Sequence, residues 1–324
     1  MQTITPTNVT LRKVPTLSLG SYLHGSQDDK VKFIEQLFHG IKDYGFIILK
    51  DHDVSKELLQ KAYQILEQFY KLPSAKKQSY ISEMGGGQRG YTAFGKEHAK
   101  GSPVMDLKEF WHVGREVPAG HAFEKYYPKN IWPDDSVKEF RQVFEQLYSQ
   151  LETAGIQMME ALSYPLQVEK DYFSKMVVEG NSILRLLHYP PIPEGVDTRC
   201  VRAAAHEDIN FITILPAATT SGLQLKDRDG TWLDIESDFG ALIVDAGDML
   251  ARITNDLIPS TTHRVINPQD GTNNSRYSMP FFMHPHPESV LSCLNSCRGN
   301  GAKYGDILAH EFLMQRLREI GLVK

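Results

Sequence analysis

Apolar residues in the first half of the chain recur at helical spacing. Val31, Ile34, Leu37, Phe38 and Ile41 fall on one face, and the pattern gives way at Gly45 to the apolar run Phe46 to Leu49, which is strand-like. Leu58, Ala62, Ile65, Leu66 and Phe69 predict a second helix, closed by Pro73. From Val137 through Phe140, Phe144, Leu147, Leu151, Ala154 and Met158 to Leu162 every step is three or four residues. That spacing predicts one long amphipathic helix, starting after Pro133-Asp134-Asp135-Ser136 and stopped by Pro165. Residues 80 to 130 are rich in glycine and aromatics without a sustained period, which predicts loops and short strands.

The second half changes character. Ser182 to Tyr189, Phe211 to Leu215, Gly222 to Leu225, Ala241 to Val244, Met249 to Thr254 and Tyr277 to Met283 are strand-length runs. Turn residues separate them at Pro190-Pro191, Asp227 to Gly230, Gly247-Asp248 and Asp270-Gly271. Many short strands with no intervening helices predict an antiparallel sandwich or barrel, of which a jelly roll is one form. Ile307 to Ile320 returns to helical spacing. The expected class is α+β with a mainly β core, and the absence of repeats or low-complexity linkers predicts one packed body.

Composition narrows the function. The 324 residues are 41% hydrophobic and 23% charged, with 35 basic and 40 acidic side chains interspersed to a net charge of -5. There is no basic footprint for nucleic acid or anionic lipid, and no run approaches the roughly 18 apolar residues of a membrane span. A soluble monomer acting on a small molecule is expected. Cys200, Cys293 and Cys297 are an odd number, and the N-terminus lacks the basic and apolar regions of a signal peptide, so free thiols in a reducing cytoplasm are predicted.

The candidate chemistry lies at His206-x-Asp208 and at His263. Two imidazoles and one carboxylate make a facial triad, which holds ferrous iron on one face and leaves the opposite positions open. Alternate residues of a strand share a face, so His206 and Asp208 can meet one ion while Glu207 points away. The 55 residues from Asp208 to His263 let several short strands run out and return. With 12 histidines in the chain this pattern also arises without a metal, so the context matters. Arg276 and Ser278 follow on one face of the next strand, thirteen and fifteen residues past His263. A buried arginine is always charged and its fork matches a carboxylate, which a nearby hydroxyl can share.

These residues, with Leu184-Arg185-Leu186-Leu187-His188-Tyr189-Pro190-Pro191 ahead of them, resemble the iron(II)- and 2-oxoglutarate-dependent oxygenases of the isopenicillin N synthase-like group. Val14-Pro15-Thr16-Leu17, Tyr44-Gly45-Phe46, Gly90-Tyr91 and Asp106-Leu107-Lys108-Glu109 extend the resemblance over nearly the whole chain. It implies a double-stranded β-helix (jelly roll) core over 176–288, a packed N-terminal helical region over 1–175 and a C-terminal helical extension over 289–324. It also implies iron on His206, Asp208 and His263, the distal carboxylate of 2-oxoglutarate on Arg276 and Ser278, and Tyr189 near the other end of that cosubstrate. Fe(II), 2-oxoglutarate and O2 are the implied cofactors, with ascorbate as a stimulant. Leu187 stands where plant members usually carry asparagine. The spacing from His263 to Arg276 is longer than in plant members and predicts a longer hairpin at Asn267 to Ser275.

Other motifs carry less. Gly85-Gly86-Gly87 is not followed by Gly-Lys-Ser/Thr and is expected to be a loop at the active-site mouth. Cys293 and Cys297 have no second pair for zinc, His284-Pro285-His286-Pro287 is expected to be a strand end, and Asp245-Ala246-Gly247-Asp248 a hairpin turn. For the substrate pocket the candidates are Arg202, which alternation puts on the face of His206, together with Phe211, Phe282, Tyr91 and, more weakly, Lys108. The leading expectation is hydroxylation, desaturation or ring closure of a small molecule, with release of succinate and CO2. An oxidase of the same fold using O2 without 2-oxoglutarate is the first alternative. A metal-free binding protein and a zinc hydrolase, which would leave Arg276 without a ligand, are more remote.

Overall fold

The computed structural model describes residues 12–82, 88–98 and 103–319. In chain order the strands begin with β1 (Thr16–Ser18), β2 (Phe46–Lys50), β3 (Gly90–Thr92), β4 (Glu109–Gly114), β5 (Ile183–Tyr189) and β6 (Ala203–His206). They continue with β7 (Ile212–Pro216), β8 (Leu223–Lys226), β9 (Trp232–Asp234), β10 (Leu242–Ala246), β11 (His263–Val265), β12 (Arg276–Ser278) and β13 (Phe281–Met283). The helices are α1 (Leu19–His24), α2 (Gln27–Tyr44), α3 (Lys56–Tyr70), α4 (Ser74–Gln78), α5 (Phe140–Ser163), α6 (Tyr172–Val177), α7 (Asp248–Ile253) and α8 (Ala309–Glu319).

The main sheet runs β1-β2-β10-β7-β13-β5-β4-β3, with β12 also on β5, and a second sheet runs β6-β11-β8-β9. All pairings are antiparallel except β1 with β2. Alternation sorts the side chains of the main sheet into two cores. Ile47, Leu49, Leu184, Leu186, Leu242 and Val244 pack against the helical layer of α2, α3 and α5. Phe46, Ile48, Leu187, Tyr189 and Ile243 point the other way, onto Ala203, Leu223, Leu225 and Val265 of the second sheet. A sheet covered on both faces explains why its strands have continuous apolar sequences. The region before residue 175 therefore supplies β1 to β4 of the main sheet as well as helices.

Local chemistry fixes the helix ends. Ser26 and Asp29 form a reciprocal capping box on α2, and Gly45, at φ +69°, ends it by donating its N–H to Ile41 O at 2.8 Å. The helix predicted from Val137 starts at Phe140, because Glu139 is in the left-handed region at φ 63°.

Four sequence expectations change. Met249 to Ile253 is helical, in α7, with Thr254 as its C-cap and with Met249, Leu250, Ala251 and Ile253 all buried. A short apolar run buried on several sides cannot be distinguished from a strand by its period. Asp245 to Asp248 is consequently a strand-to-helix junction: Asp245 lies in β10, and Gly247 caps α7. Tyr277 to Met283 splits into β12 and β13 around Met279-Pro280. Asn267 to Ser275 does not close a hairpin, since β11 pairs with β6 and β8 while β12 pairs with β5 in the other sheet. Gly85 to Gly87 lies outside the described residues. Among the described residues no helix is long and apolar enough to cross a membrane.

Candidate metal centre

β11 lies beside β6 with His263 opposite His206. Asp208 falls two residues beyond the end of β6, so strand alternation does not aim it; the junction of β10 and α7 does. The Asp248 N–H donates to Asp208 O at 2.7 Å, and the Met249 N–H to Ile209 O at 3.1 Å. Gly247 leaves room for that contact, because a Cβ there would lie 2.3 Å from Asn210 O and 2.8 Å from Asp208 O. Glu207 does turn away, accepting a hydrogen bond from the Thr262 hydroxyl.

The three side chains converge. His206 Nε2 and His263 Nε2 lie 3.8 and 3.9 Å from Asp208 Oδ1, and the candidate ligand atoms all fall within 4.8 Å of one another. His206 Nδ1 is 2.8 Å from Ala204 O and His263 Nδ1 is 3.1 Å from Thr261 O. A carbonyl only accepts, so each Nδ1 carries the proton and each Nε2 presents a lone pair to the common point. Burial, then the neighbouring His263, push His206 down to about 4, which keeps its ring neutral at pH 7. The Thr213 hydroxyl donates to Asp208 Oδ2 and leaves Oδ1 for an ion. Two imidazoles and a carboxylate suit ferrous iron.

Beside the triad lies a cavity of about 60 Å³ lined by Tyr189, Arg276 and Ser278. β12 sets Arg276 opposite Tyr189 and Ser278 opposite Leu187. Arg276 is 1% exposed; its Nε donates to Thr220 O at 3.1 Å, while its Nη1 is buried with no partner. An unpaired buried cation is costly, so an anion belongs there. The fork of Arg276 and the hydroxyl of Ser278 fit a carboxylate of 2-oxoglutarate.

A second cavity, of about 170 Å³, shares His206, Asp208, Arg185 and Phe282 with the first. Arg185 Nε donates to His112 Nε2 at 2.6 Å, Nη1 lies 3.3 Å from Glu97, and its guanidinium is 5.2 Å from the Phe282 ring centre. Asn181 and His284 complete the polar wall, and Leu313 and Leu317 of α8 form an apolar one.

Of the pocket candidates, Phe282 lines both cavities. Phe211 instead packs in the helix-side core against Phe173, with ring centres 5.9 Å apart. Tyr91 is also in that core, its hydroxyl donating to Glu109. Arg202 leaves the face of His206 because the β6–β11 register shifts between His263 and Val265, which breaks the alternation. It lines a separate groove and donates to Asn274 O at 2.8 Å. Lys108 borders the smaller cavity, paired with Glu97 at 3.0 Å and Asp106 at 2.9 Å. Sequence reasoning missed Arg185, although it shares a strand face with Tyr189 at four residues' distance. Asn181, Leu313 and Leu317 gave no local signal.

The chain is similar to known proteins over most of its length. Residues 14–135 match the family described as non-haem dioxygenase in morphine synthesis N-terminal, and residues 180–285 match the 2OG-Fe(II) oxygenase superfamily. A solved 2OG-Fe(II) oxygenase family protein from Caulobacter crescentus is 42% identical, covering 94% of this chain and 98% of its own, with a TM-score of 0.85. T7H of Neurospora crassa, solved with alpha-KG and thymine, is 30% identical, covering 94% of this chain and 96% of its own, with a TM-score of 0.84. The 2-oxoglutarate-Fe(II) type oxidoreductase hxnY of Emericella nidulans is 29% identical over 92% of this chain and 88% of its own. The site geometry and these relatives lead to one conclusion: the chain belongs to the iron(II)- and 2-oxoglutarate-dependent oxygenases, as a dioxygenase of the jelly-roll fold.

Proposed function

We propose that this enzyme hydroxylates a small uncharged molecule held in the 170 Å³ cavity, with His206, Asp208 and His263 as iron ligands and with Arg276, Ser278 and Tyr189 holding 2-oxoglutarate. One observation carries the reading: the unpartnered Nη1 of Arg276 lines a cavity shared with the converging triad. Iron and 2-oxoglutarate, when bound, supply oxygen activation, with decarboxylation to succinate and CO2. The protein's own part is placement. Arg276 and Ser278 orient the cosubstrate from its carboxylate end, the Thr213 hydroxyl holds the Asp208 carboxylate while the Asp248 N–H holds the Asp208 backbone carbonyl, and the cavity beyond His206 holds the substrate away from bulk water. In this division of labour, the 176–288 region carries the ligands, the 1–175 region supplies helices together with β1 to β4, and α8 of the 289–324 region borders the larger cavity.

The choice of an uncharged substrate rests on charge balance. Arg185 is answered by Glu97 and His112, and burial pushes His284 down to about 4, so neither is left as a free cation at pH 7. The Phe282 ring offers a flat face and Asn181 an amide edge. Thymine, bound by the Neurospora relative, is a compound of this class. The test is succinate release with iron and 2-oxoglutarate in the presence of thymine, other uncharged heterocycles and their carboxylated counterparts. Stimulation by uncharged compounds is expected. Stimulation by the carboxylates alone would reject the charge argument.

A further inference from the structure

Strands β4, β5 and β12 lie side by side, with Glu109 opposite His188 and His188 opposite Tyr277. Alternation puts this row on the helix side of the sheet, while Leu187, Tyr189, Arg276 and Ser278 line the 60 Å³ cavity on the other side. β12 is three residues long and pairs with β5 along one edge. At its other edge the Tyr277 N–H donates to Thr219 Oγ1 at 2.9 Å, and the Thr219 N–H to Tyr277 O at 3.2 Å. So short a strand relies on its side chains to keep Arg276 and Ser278 in place.

Behind β12 those side chains form a continuous polar chain. Lys77 of α4 reaches Glu109 Oε1 at 2.8 Å and Oε2 at 2.7 Å, the Tyr91 hydroxyl donates to Oε2, and His188 Nδ1 lies 2.8 Å from Oε1. Four acceptor positions of the carboxylate are thereby filled. Burial works against its charge, but the bonds from His188, Lys77 and Tyr91 hold the Glu109 carboxyl below the usual range. A carboxylate only accepts, so His188 Nδ1 carries a proton. Its Nε2 lies 3.0 Å from Ser275 Oγ, next in sequence to Arg276. The Tyr277 ring stacks on the imidazole, with centres 4.8 Å apart and planes at 12°, and the Tyr70 ring packs on both. Lys77, Glu109 and His188 are all buried. A buried polar network satisfied in this way holds its members in one arrangement.

We infer that His188, held by Glu109 and Lys77, is a positioning residue for the cosubstrate: through Ser275 and Tyr277 it fixes β12, and with it the distance from Arg276 and Ser278 to the triad. This deepens the proposed function, because it rests on Arg276 and Ser278 holding 2-oxoglutarate. The triad stands on β6, β11 and the loop after β6, so the clamp acts on the cosubstrate and leaves the metal ligands alone. A fixed distance also selects the length of the dicarboxylate that spans it.

The test is calorimetry of 2-oxoglutarate binding to the full chain, loaded with ferrous iron under anaerobic conditions. His188→Phe keeps a ring against Tyr277 and removes both hydrogen bonds. Ser275→Ala removes the outer bond alone at a half-buried position, so it decides the matter if His188→Phe fails to fold. In either variant 2-oxoglutarate should bind about threefold to tenfold more weakly, the worth of a lost hydrogen bond, with iron affinity unchanged. Ser275→Thr should restore it. The preference for 2-oxoglutarate over 2-oxoadipate, one methylene longer, should narrow in the same variants. Hydrogen exchange should rise at 276–278 and stay unchanged at 263–265. Wild-type cosubstrate affinity and preference in these variants, with or without a loss of unfolding stability, would overturn the clamp. Arg276→Ala is the reference: wild-type 2-oxoglutarate affinity there would instead overturn the reading of the cosubstrate site.

Discussion

Arg276 sits 1% exposed with one nitrogen unsatisfied, so its worth is tied to the anion it receives. A hydrogen bond to a charged group contributes about 1.5–3 kcal/mol, which corresponds to roughly 10- to 100-fold in affinity. Arg276→Ala should raise the 2-oxoglutarate concentration for half-maximal succinate formation by about that factor, with iron binding nearly intact. An unchanged requirement would remove Arg276 from the cosubstrate site. This pairing was legible in the sequence because a two-residue Arg-x-Ser step survives any register as long as the strand is regular, and β12 is. The placement of Arg202 failed for the converse reason: the bulge between β6 and β11 rotates it off the face of His206. Phe211 and Phe282 could not be separated from sequence, since Phe211, just before β7, packs on the helix side and Phe282, in β13, lines the cavity, and only the assembled sheet decides which.

At the scale of elements, the end of α2 reaches the metal site. Gly45 holds φ +69°, and a Cβ on it would come 1.9 Å from Thr261 Oγ1. Thr261 donates that hydroxyl to Tyr44 O at 3.0 Å, and its carbonyl accepts from His263 Nδ1. Gly45→Ala should therefore destabilise the fold by about 1–2 kcal/mol from backbone conformation alone and also weaken iron binding by displacing Thr261. Urea unfolding together with iron titration measures both, and loss of stability without loss of iron affinity would sever this link. The long helix α5 was legible because it keeps its period over many residues, and β2, β5 and β7 because each is an apolar run of strand length. The run at α7 was not, since a six-residue segment with four buried positions looks the same in either conformation. The connection from His263 to Arg276 was misjudged as a hairpin because sequence distance does not reveal that the chain changes sheets.

For the whole molecule, three layers place the site where the second sheet meets the inner face of the main one, under α8. The cavity walls come from segments as far apart as Glu97, Arg185, Phe282 and Leu317, so the pocket was the least legible part of the sequence. Ligands that bind only the assembled site must stabilise it. Iron and 2-oxoglutarate, each at about 100 times its dissociation constant, should each add about 2.7 kcal/mol to unfolding stability. The iron part should vanish with a chelator; a stability indifferent to both ligands would contradict an assembled site. The most direct test of the central claim is succinate formed per oxygen consumed by the iron-reconstituted protein, in the wild type and in Asp208→Ala. The account predicts succinate that requires iron and 2-oxoglutarate in the wild type and none above background in the variant. Product formed without succinate, or normal oxygen uptake by Asp208→Ala, would contradict it.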